Sequence, residues 1–565
     1  MRKCAALLIS LAVVLGAAVA FAGPAAAAGP TYYVSTSGSD SNNGTSTSTP
    51  WKTITKVNAA ALGTGGATLR FNGGQNFSGC LVFDAGEGGT SSSPIVINSY
   101  GTGRATITCS TSGGSAIRIH DTGGFSISNL NLVNTSGATG GSYGIELSND
   151  LAGGVKKAYF RFDSLDISNF SVAGIALHAE PSDKNPATGF SDVRITNVAA
   201  HGNRDAGIES WSNRDVTTAP TSYNFDSIYV GSSSAYANAG IPGKGNNSGN
   251  GISFGEASNV TIEYCSAHDN GTSNDHLGGG PVGIWVYQTT NALIQFNESY
   301  NNSRGSGDSD GGGFDLDGGV SNSTVQYNYS HNNDGAGVLV FQYAGGRELQ
   351  NNTVRYNVSV NDARRGNYGA ISTGSNWPGH PASNVKIYGN TIYLNATTVD
   401  PSAVQSGLRF WNGGSAIKVY NNVVYTTGGA VRLISEERDN SGLALDYNDY
   451  WANGNATTLF VWNGGVPQYT EGGATTYPSF AAFRAGTGQE AHGLFANPLL
   501  MTPGVMPTLT PTTLTSLSGY QLQASSPVPD AGVTLPSVGI SPGTRDFYGD
   551  TIPAGTGYSM GAHDR

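Results

Sequence analysis

A short unit, Gly or Ala followed by apolar–x–apolar, recurs down the whole middle of this chain. Its copies begin at Gly144 (GIELS), Gly174 (GIALH), Gly207 (GIESW), Gly251 (GISFG), Gly283 (GIWVY), Gly313 (GFDLD), Gly337 (GVLVF), Ala370 (AISTG), Gly407 (GLRFW) and Ala430 (AVRLI). A recurrence of roughly 25–40 residues is the mark of a solenoid or array. In such a stack each unit packs only on its neighbours. That suits a chain of 565 residues better than one closed core does.

Strand side chains alternate in direction, so the first and third residues after each glycine share a face. Those positions hold Ile145/Leu147, Ile175/Leu177, Ile208/Ser210, Ile252/Phe254, Ile284/Val286, Phe314/Leu316, Val338/Val340, Ile371/Thr373, Leu408/Phe410 and Val431/Leu433. All but Ser210 and Thr373 are apolar, which makes this face the core. A second strand follows in each unit (VRITN, VTIEY, LIQFN, TVQYN, TVRYN, VKIYGN, IKVYNN), carrying Asn297, Asn328, Asn357, Asn390 and Asn422. An Asn recurring at one turn can bond its counterpart and build a ladder. Short strands with no helical period between them predict an all-β fold, a right-handed parallel β-helix. About ten or more rungs over residues 110–460, at roughly 4.8 Å each, give a body 50–60 Å long. A propeller blade needs four antiparallel strands in roughly 40–50 residues. These units are too short for that and lack regular hairpin turns. High glycine (81) and few charges (12%) would also suit disorder, but the regular apolar pairs and 10% aromatics oppose it.

The flanks read differently. Residues 1–28 have Arg2 and Lys3, an apolar run from Ala5 to Ala20 and small residues at Ala25–Ala27, the pattern of a secretory leader. No later stretch is long and apolar enough to span a membrane, so a secreted, extracellular protein is expected. Residues 29–110 read as an N-terminal cap and first rungs, 111–460 as the β-helix, and 461–565 as last rungs and an irregular tail. In the cap, a strand and a short helix after Pro50 would cover the open end of the stack. The net charge of −11 opposes nucleic acid and anionic membranes as partners. A monomer is expected. Cys80 and Cys109 lie about one rung apart and can pair in an oxidising compartment. Cys265 reads as a buried free thiol.

The second and fourth residues after each glycine point the other way. In order they include Glu209 and Trp211, Trp285 and Tyr287, Asp315 and Asp317, Leu339 and Phe341, and Arg409 and Trp411. Acids in the middle with aromatics on both sides suit a sugar, whose C–H faces stack on rings while carboxyls act on hydroxyls or the glycosidic bond. The segment Asp308-Ser309-Asp310-Gly311-Gly312-Gly313-Phe314-Asp315-Leu316-Asp317 carries four carboxylates in ten residues. Asp-Gly runs are also ordinary turn chemistry. However, Asp315 and Asp317 lie on the strand itself, where Asp is disfavoured and two on one face repel. Asp310 and Asp334 occupy equivalent places before their strands and should stack in adjacent turns. His331 reads as a polar turn residue, Arg364, Arg365 and Lys386 as solvated charges, and Glu263 as part of the other sheet.

The stretch from Asp310 to Gly337 (DGGGFDLDGGVSNSTVQYNYSHNNDGAG) resembles the central segment of secreted β-helix carbohydrate-active enzymes. It is similar to glycoside hydrolases of the lacto-N-biosidase type in holding two Asp residues seven apart. Asp310 and Asp317 have that spacing, and so do Asp308 and Asp315. The resemblance implies Asp310 as acid/base and Asp317 as nucleophile, with Asp315 beside them. Glu209, Trp211, Trp285, Tyr287, Phe341, Arg409 and Trp411 are expected to bind a neutral oligo- or polysaccharide, with no cofactor. Two alternatives stay open. One is a Ca²⁺-dependent polysaccharide lyase with Asp310, Asp315, Asp317 and Asp334 as oxygen ligands. The other is a non-catalytic carbohydrate-binding surface protein, which would present a flat face where an enzyme presents a cleft.

Overall fold

The computed structural model describes residues 29–565, apart from 61, 64, 112, 136–139, 215, 217–220, 430, 438–439, 455–458 and 465–473. The leader expected at 1–28 and the Ala430 position lie outside the described residues. Among the described residues one sheet runs in chain order through 14 strands, from Leu81–Phe83 to Thr475–Tyr477. Every neighbouring pair in it is parallel except the last, where Thr475–Tyr477 returns antiparallel to Phe460–Gly464. A 25-stranded assembly carries the other strands of each turn. This continuous parallel stacking is a β-solenoid and excludes propeller blades and sandwiches, which are antiparallel.

The register follows the repeat. Ile145, Ile175, Ile208, Ile252, Ile284, Phe314, Val338, Ile371 and Leu408 stand in one column. All twenty positions expected in the core are buried, the polar pair included. Ser210 is accommodated by donating to the Gly255 carbonyl at 3.0 Å. The last copy departs from expectation: Leu408 pairs with Ile434, so the strand Arg432–Glu437 starts its column three residues later than the Val431 register. The run Val431-Arg432-Leu433-Ile434 offers apolar residues in both parities, and parity is what selects register.

The stack is stitched by amides. Asn297, Asn328, Asn357, Asn390 and Asn422 bond Nδ2 to Oδ1 from turn to turn at 2.9–3.1 Å, ending on Asn448. A second ladder, Asn238–Asn270–Asn302–Asn333–Asp362, has the same geometry at 2.8–3.0 Å. At the N-terminal end the helix Ile54–Asn58 buries Ile54 and Val57, and Cys80 is bonded to Cys109. Cys265 is buried and free. The C-terminal tail does not stay on the last rungs. It runs back along the flank and packs Leu514, Tyr520, Leu535 and Phe547 with Tyr327, Tyr356, Tyr388 and Val423. Its Leu509 amide reaches the buried Glu298 at 2.9 Å.

Core placement has a direct test. Leu316 is fully buried, so Leu316→Asp should cost about 3 kcal/mol or more by urea titration, because an unpaired charge would enter the dry stack. Thr373→Ser removes one methyl from an equally buried site and should cost about 1 kcal/mol. Equal losses would mean that the two faces are reversed.

Candidate active site

The other face of the same strands forms the floor of a groove. Glu209, Ser253, Trp285, Asp315, Leu339, Ser372 and Arg409 stand in register on consecutive strands. Beside them Tyr287 and Gly255 are paired, as are Asp317 and Phe341. Small residues let large neighbours lie flat: a Cβ on Gly255 would fall 2.0 Å from the Tyr287 ring, and one on Gly318 2.4 Å from Tyr343.

This face is not solvent-exposed as the alternation alone suggests. Trp285 is 6% exposed, Asp315 2% and Leu339 7%. Loops between the turns rise over the floor and hold one another through backbone amides. Gly278 N–H donates to Asp308 Oδ1 at 2.7 Å, Gly280 N–H to Asp310 Oδ2 at 2.8 Å, and Ser273 N–H to the Ala239 carbonyl at 2.6 Å. The result is a cavity of about 900 Å³ lined by Glu209, Trp211, Trp285, Tyr287, Phe341 and Trp411 around Asp308, Asp310, Asp315 and Asp317. Sugar-sized ligands are usually held in clefts of this scale.

Its electrostatics are unusual. Burial pushes the Asp315 carboxyl well above the usual range, and the charges of Asp317 and Asp310 add to that. Asp315 Oδ1 has no hydrogen-bond partner. Burial likewise raises Asp317 to about 8, against a backbone N–H at Gly318 and with help from Asp310. Asp310 is raised by burial too, but the Gly280 amide and the Tyr368 hydroxyl pull the other way. Asp308 differs. Its slight burial is outweighed by bonds from Gly278 and Ser309, and it is held low. Further along the floor, burial and then Asp205 push Glu209 up to about 8. Lys244 is paired with Asp205 and is the one Lys or Arg among the described residues lining the cavity. His178, beneath Trp211 at 4.6 Å between ring centres, is driven down to about 3 by burial and is neutral. Carboxyls close together in a dry site, some protonated near neutral pH, can both donate and accept a proton.

Several expected positions are corrected. Arg409 is fully buried, bonds Glu437 Oε1 at 3.1 Å and is not among the residues lining the cavity. Asp334 does stack against the Asp310 turn, since a Cβ on Gly311 would touch its Cβ at 2.9 Å. Yet its carboxylate turns to Arg364 (3.3 Å) and Arg365 (3.4 Å), which are therefore ion-pair partners rather than solvated charges. His331 is buried, 3.1 Å from Glu298. Glu263 bonds Tyr229 and Gln295 away from the groove. The proposed Ca²⁺ ligands do not fit that ion. Calcium needs several ionised or carbonyl oxygens gathered around it, whereas the Asp334 carboxylate is turned to Arg364 and Arg365. Among the described residues, the groups whose ligating atoms lie within 4.8 Å of one another are His120/Asp121/Asp150 and Asp546/Asp550/His563, both outside the groove.

Asp205, Lys244, Asn250, His276, Tyr343 and Tyr368 also line the cavity. Of these only Asn250 lies on a floor strand. The others come from segments between the floor strands, where the repeat gives no signal.

Together the fold and this groove define a right-handed parallel β-helix protein with an acid-centred, aromatic-walled cleft. Residues 221–379 match the family described as the right handed beta helix region. The resemblance to lacto-N-biosidase-type hydrolases holds across a wider span. The chain is 26% identical over 453 aligned residues to a lacto-N-biosidase of Bifidobacterium longum subsp. longum, covering 65% of this chain and 27% of that protein. It therefore spans about a quarter of that relative's length. Among solved structures, the native GH136 lacto-N-biosidase from Eubacterium ramulus is similar with a TM-score of 0.51 and 22% identity, over 69% of this chain and 68% of that one. Pectate lyase Pel9A matches over 95% of this chain and 97% of its own with a TM-score of 0.35 and 16% identity, too distant to bear on activity.

Proposed function

We propose that this protein is a glycoside hydrolase that cleaves a neutral oligo- or polysaccharide in the groove, with Asp310 and Asp317 as the working pair. The observation that carries this reading is the gathering of Asp310, Asp315 and Asp317 in one aromatic-walled cleft. A cleft, rather than a flat face, favours an enzyme over a binding surface. The lacto-N-biosidase similarity supports hydrolysis of an oligosaccharide. A lyase acting on uronates needs a Lys, Arg or His base and holds an anionic sugar; His276 lines the cavity, with Nδ1 2.9 Å from the Gly279 carbonyl. Here six acids line the cavity, and its lysine is already paired. The leader-like residues 1–28 and the Cys80–Cys109 bond suit an extracellular site of action.

In the proposed reaction one carboxylic acid protonates the leaving oxygen and one carboxylate attacks the anomeric carbon or activates water. By resemblance these are Asp310 and Asp317 respectively, so Asp317, raised to about 8 chiefly by burial, must hand its proton to Asp310 before it can attack or activate water. The charges of Asp317 and Asp310 raise Asp315, and that of Asp310 raises Asp317, so the site favours keeping a proton until a glycosidic oxygen takes it. Asp315, partnerless at Oδ1, is pushed toward the neutral form by burial, which lessens the repulsion.

Alanine variants separate the roles. Asp310→Ala should still turn over an aryl glycoside with an activated leaving group, with azide restoring rate, because that substrate needs no acid. Asp317→Ala should lose both kinds of substrate. The reverse pattern would exchange the roles. Products absorbing as unsaturated sugars would replace hydrolysis with lyase chemistry.

A further inference from the structure

Asp310 is held from two sides, and one side comes from a distant turn. Gly280 N–H donates to Oδ2 at 2.8 Å. The Tyr368 hydroxyl lies 3.1 Å from Oδ1, to which it donates, and 2.8 Å from the Asp310 N–H, from which it accepts. One oxygen thus grips both the carboxyl and the backbone of the same residue. Asp310 makes this possible by adopting φ +59°, a left-handed conformation that Asp tolerates better than most residues. The grip is stiff because Tyr368 is itself fixed. It is buried, edge-on to Trp411 at 5.3 Å between ring centres, and its carbonyl accepts from the Ser406 amide of the next turn at 3.1 Å.

We infer that Tyr368 is the positioning residue for Asp310, fixing its carboxyl against the Gly280 amide so that the acid is already aimed when a sugar arrives. This rests on the proposed role of Asp310. A carboxyl on a glycine-flanked turn, next to Gly311, Gly312 and Gly313, has many rotamers to lose. Two fixed contacts on its two oxygens remove that freedom before binding, and angstrom-scale misplacement of a reacting group costs orders of magnitude in rate. The same hydroxyl also favours the ionised carboxyl, since it donates to it. Tyr368 therefore links the geometry of Asp310 to its proton affinity.

The test alters the hydroxyl without altering the ring. Tyr368→Phe keeps the packing on Trp411 and should lower kcat about 10- to 100-fold with little change in KM. It should also move the limb of the pH–rate profile that belongs to Asp310 upward by about half a unit or more. 3-Fluorotyrosine introduced in place of Tyr368 has a more acidic, stronger-donating hydroxyl and should move that limb downward. A purely structural tyrosine would not give opposite shifts. Parent kcat and profile in both variants, or shifts in the same direction, would overturn the inference. If Asp310→Asn is inactive while both Tyr368 variants behave as the parent, only the positioning role falls. If Asp310→Asn is fully active, the proposed function falls with it.

Discussion

Asp310→Asn and Asp317→Asn should each abolish hydrolysis, by about three orders of magnitude or more, while the fold remains. Asn keeps the size of the side chain and can still accept the Gly280 or Gly318 amide. It can neither ionise nor deliver a proton. Stability should not merely survive but rise. Asp317 is pushed up to about 8 chiefly by burial, so at neutral pH the native state must either hold a proton the unfolded chain has released or carry a charge in a dry site. Asn removes that cost. An inactive variant that melts above the parent is the signature of a carboxyl kept for chemistry at the expense of stability. Asp315→Asn should raise the melting temperature too, since its Oδ1 is unpartnered in the native state, with only a partial loss of rate. Full activity in both Asp310→Asn and Asp317→Asn would remove the pair from the mechanism.

What could be read in the residues alone follows from where periodic physics operates. Phe314 and Leu316 against Asp315 and Asp317 is a parity statement, and parity in a strand is strict, so the core and floor faces were both legible. The Asn297–Asn422 ladder was legible because a single amide recurs at one turn. The second ladder carries spacings of 31–32 residues from Asn238 to Asn333, a signal as regular as the first but diluted among many other asparagines. The cover over the groove was not legible. The loops bearing Lys244, His276 and Asp308 have no common period, and their mutual bonds join backbone amides to carboxylates about one turn away, such as Gly278 to Asp308 and Gly243 to Asp275, which no local pattern announces. For that reason Trp285 and Asp315 read as exposed although they are buried. Arg409 failed differently. Its partner Glu437 belongs to the strand whose register slips by three residues, so the pair is invisible until that slip is known. Tyr368 and Asp310 meet across 58 residues with no shared motif.

The acid-rich interior also makes a prediction for the whole molecule. Asp317, Glu209 and Glu490 are each pushed up to about 8 and Asp449 to about 7, all chiefly by burial. In the unfolded chain the same groups titrate near 4. Between about pH 4 and pH 8 the native state therefore binds more protons than the unfolded state. Stability must then fall as pH rises through that window and level off above it. This is the opposite of the usual salt-bridged carboxylate, whose contribution is lost on acidification. The melting temperature should be higher by many degrees at pH 5 than at pH 8. The net charge of −11 pushes in the same direction through self-repulsion, so the parent curve alone does not identify the groups. The variants do. Asp317→Asn and Glu209→Gln sit in the groove, while Glu490→Gln sits at the end of the asparagine ladder, where Glu490 accepts from Asn448 and Tyr450 at 2.7 Å each. The first two should stabilise more at pH 8 than at pH 5 and so flatten the curve. Glu490→Gln should flatten it as well but lower stability at every pH, because the amide nitrogen that replaces Oε2 cannot accept from the Asn448 N–H. A parent whose stability rises from pH 5 to pH 8, or groove variants that leave the slope untouched, would show that these carboxyls are ionised in the native protein and that the groove holds no proton to give.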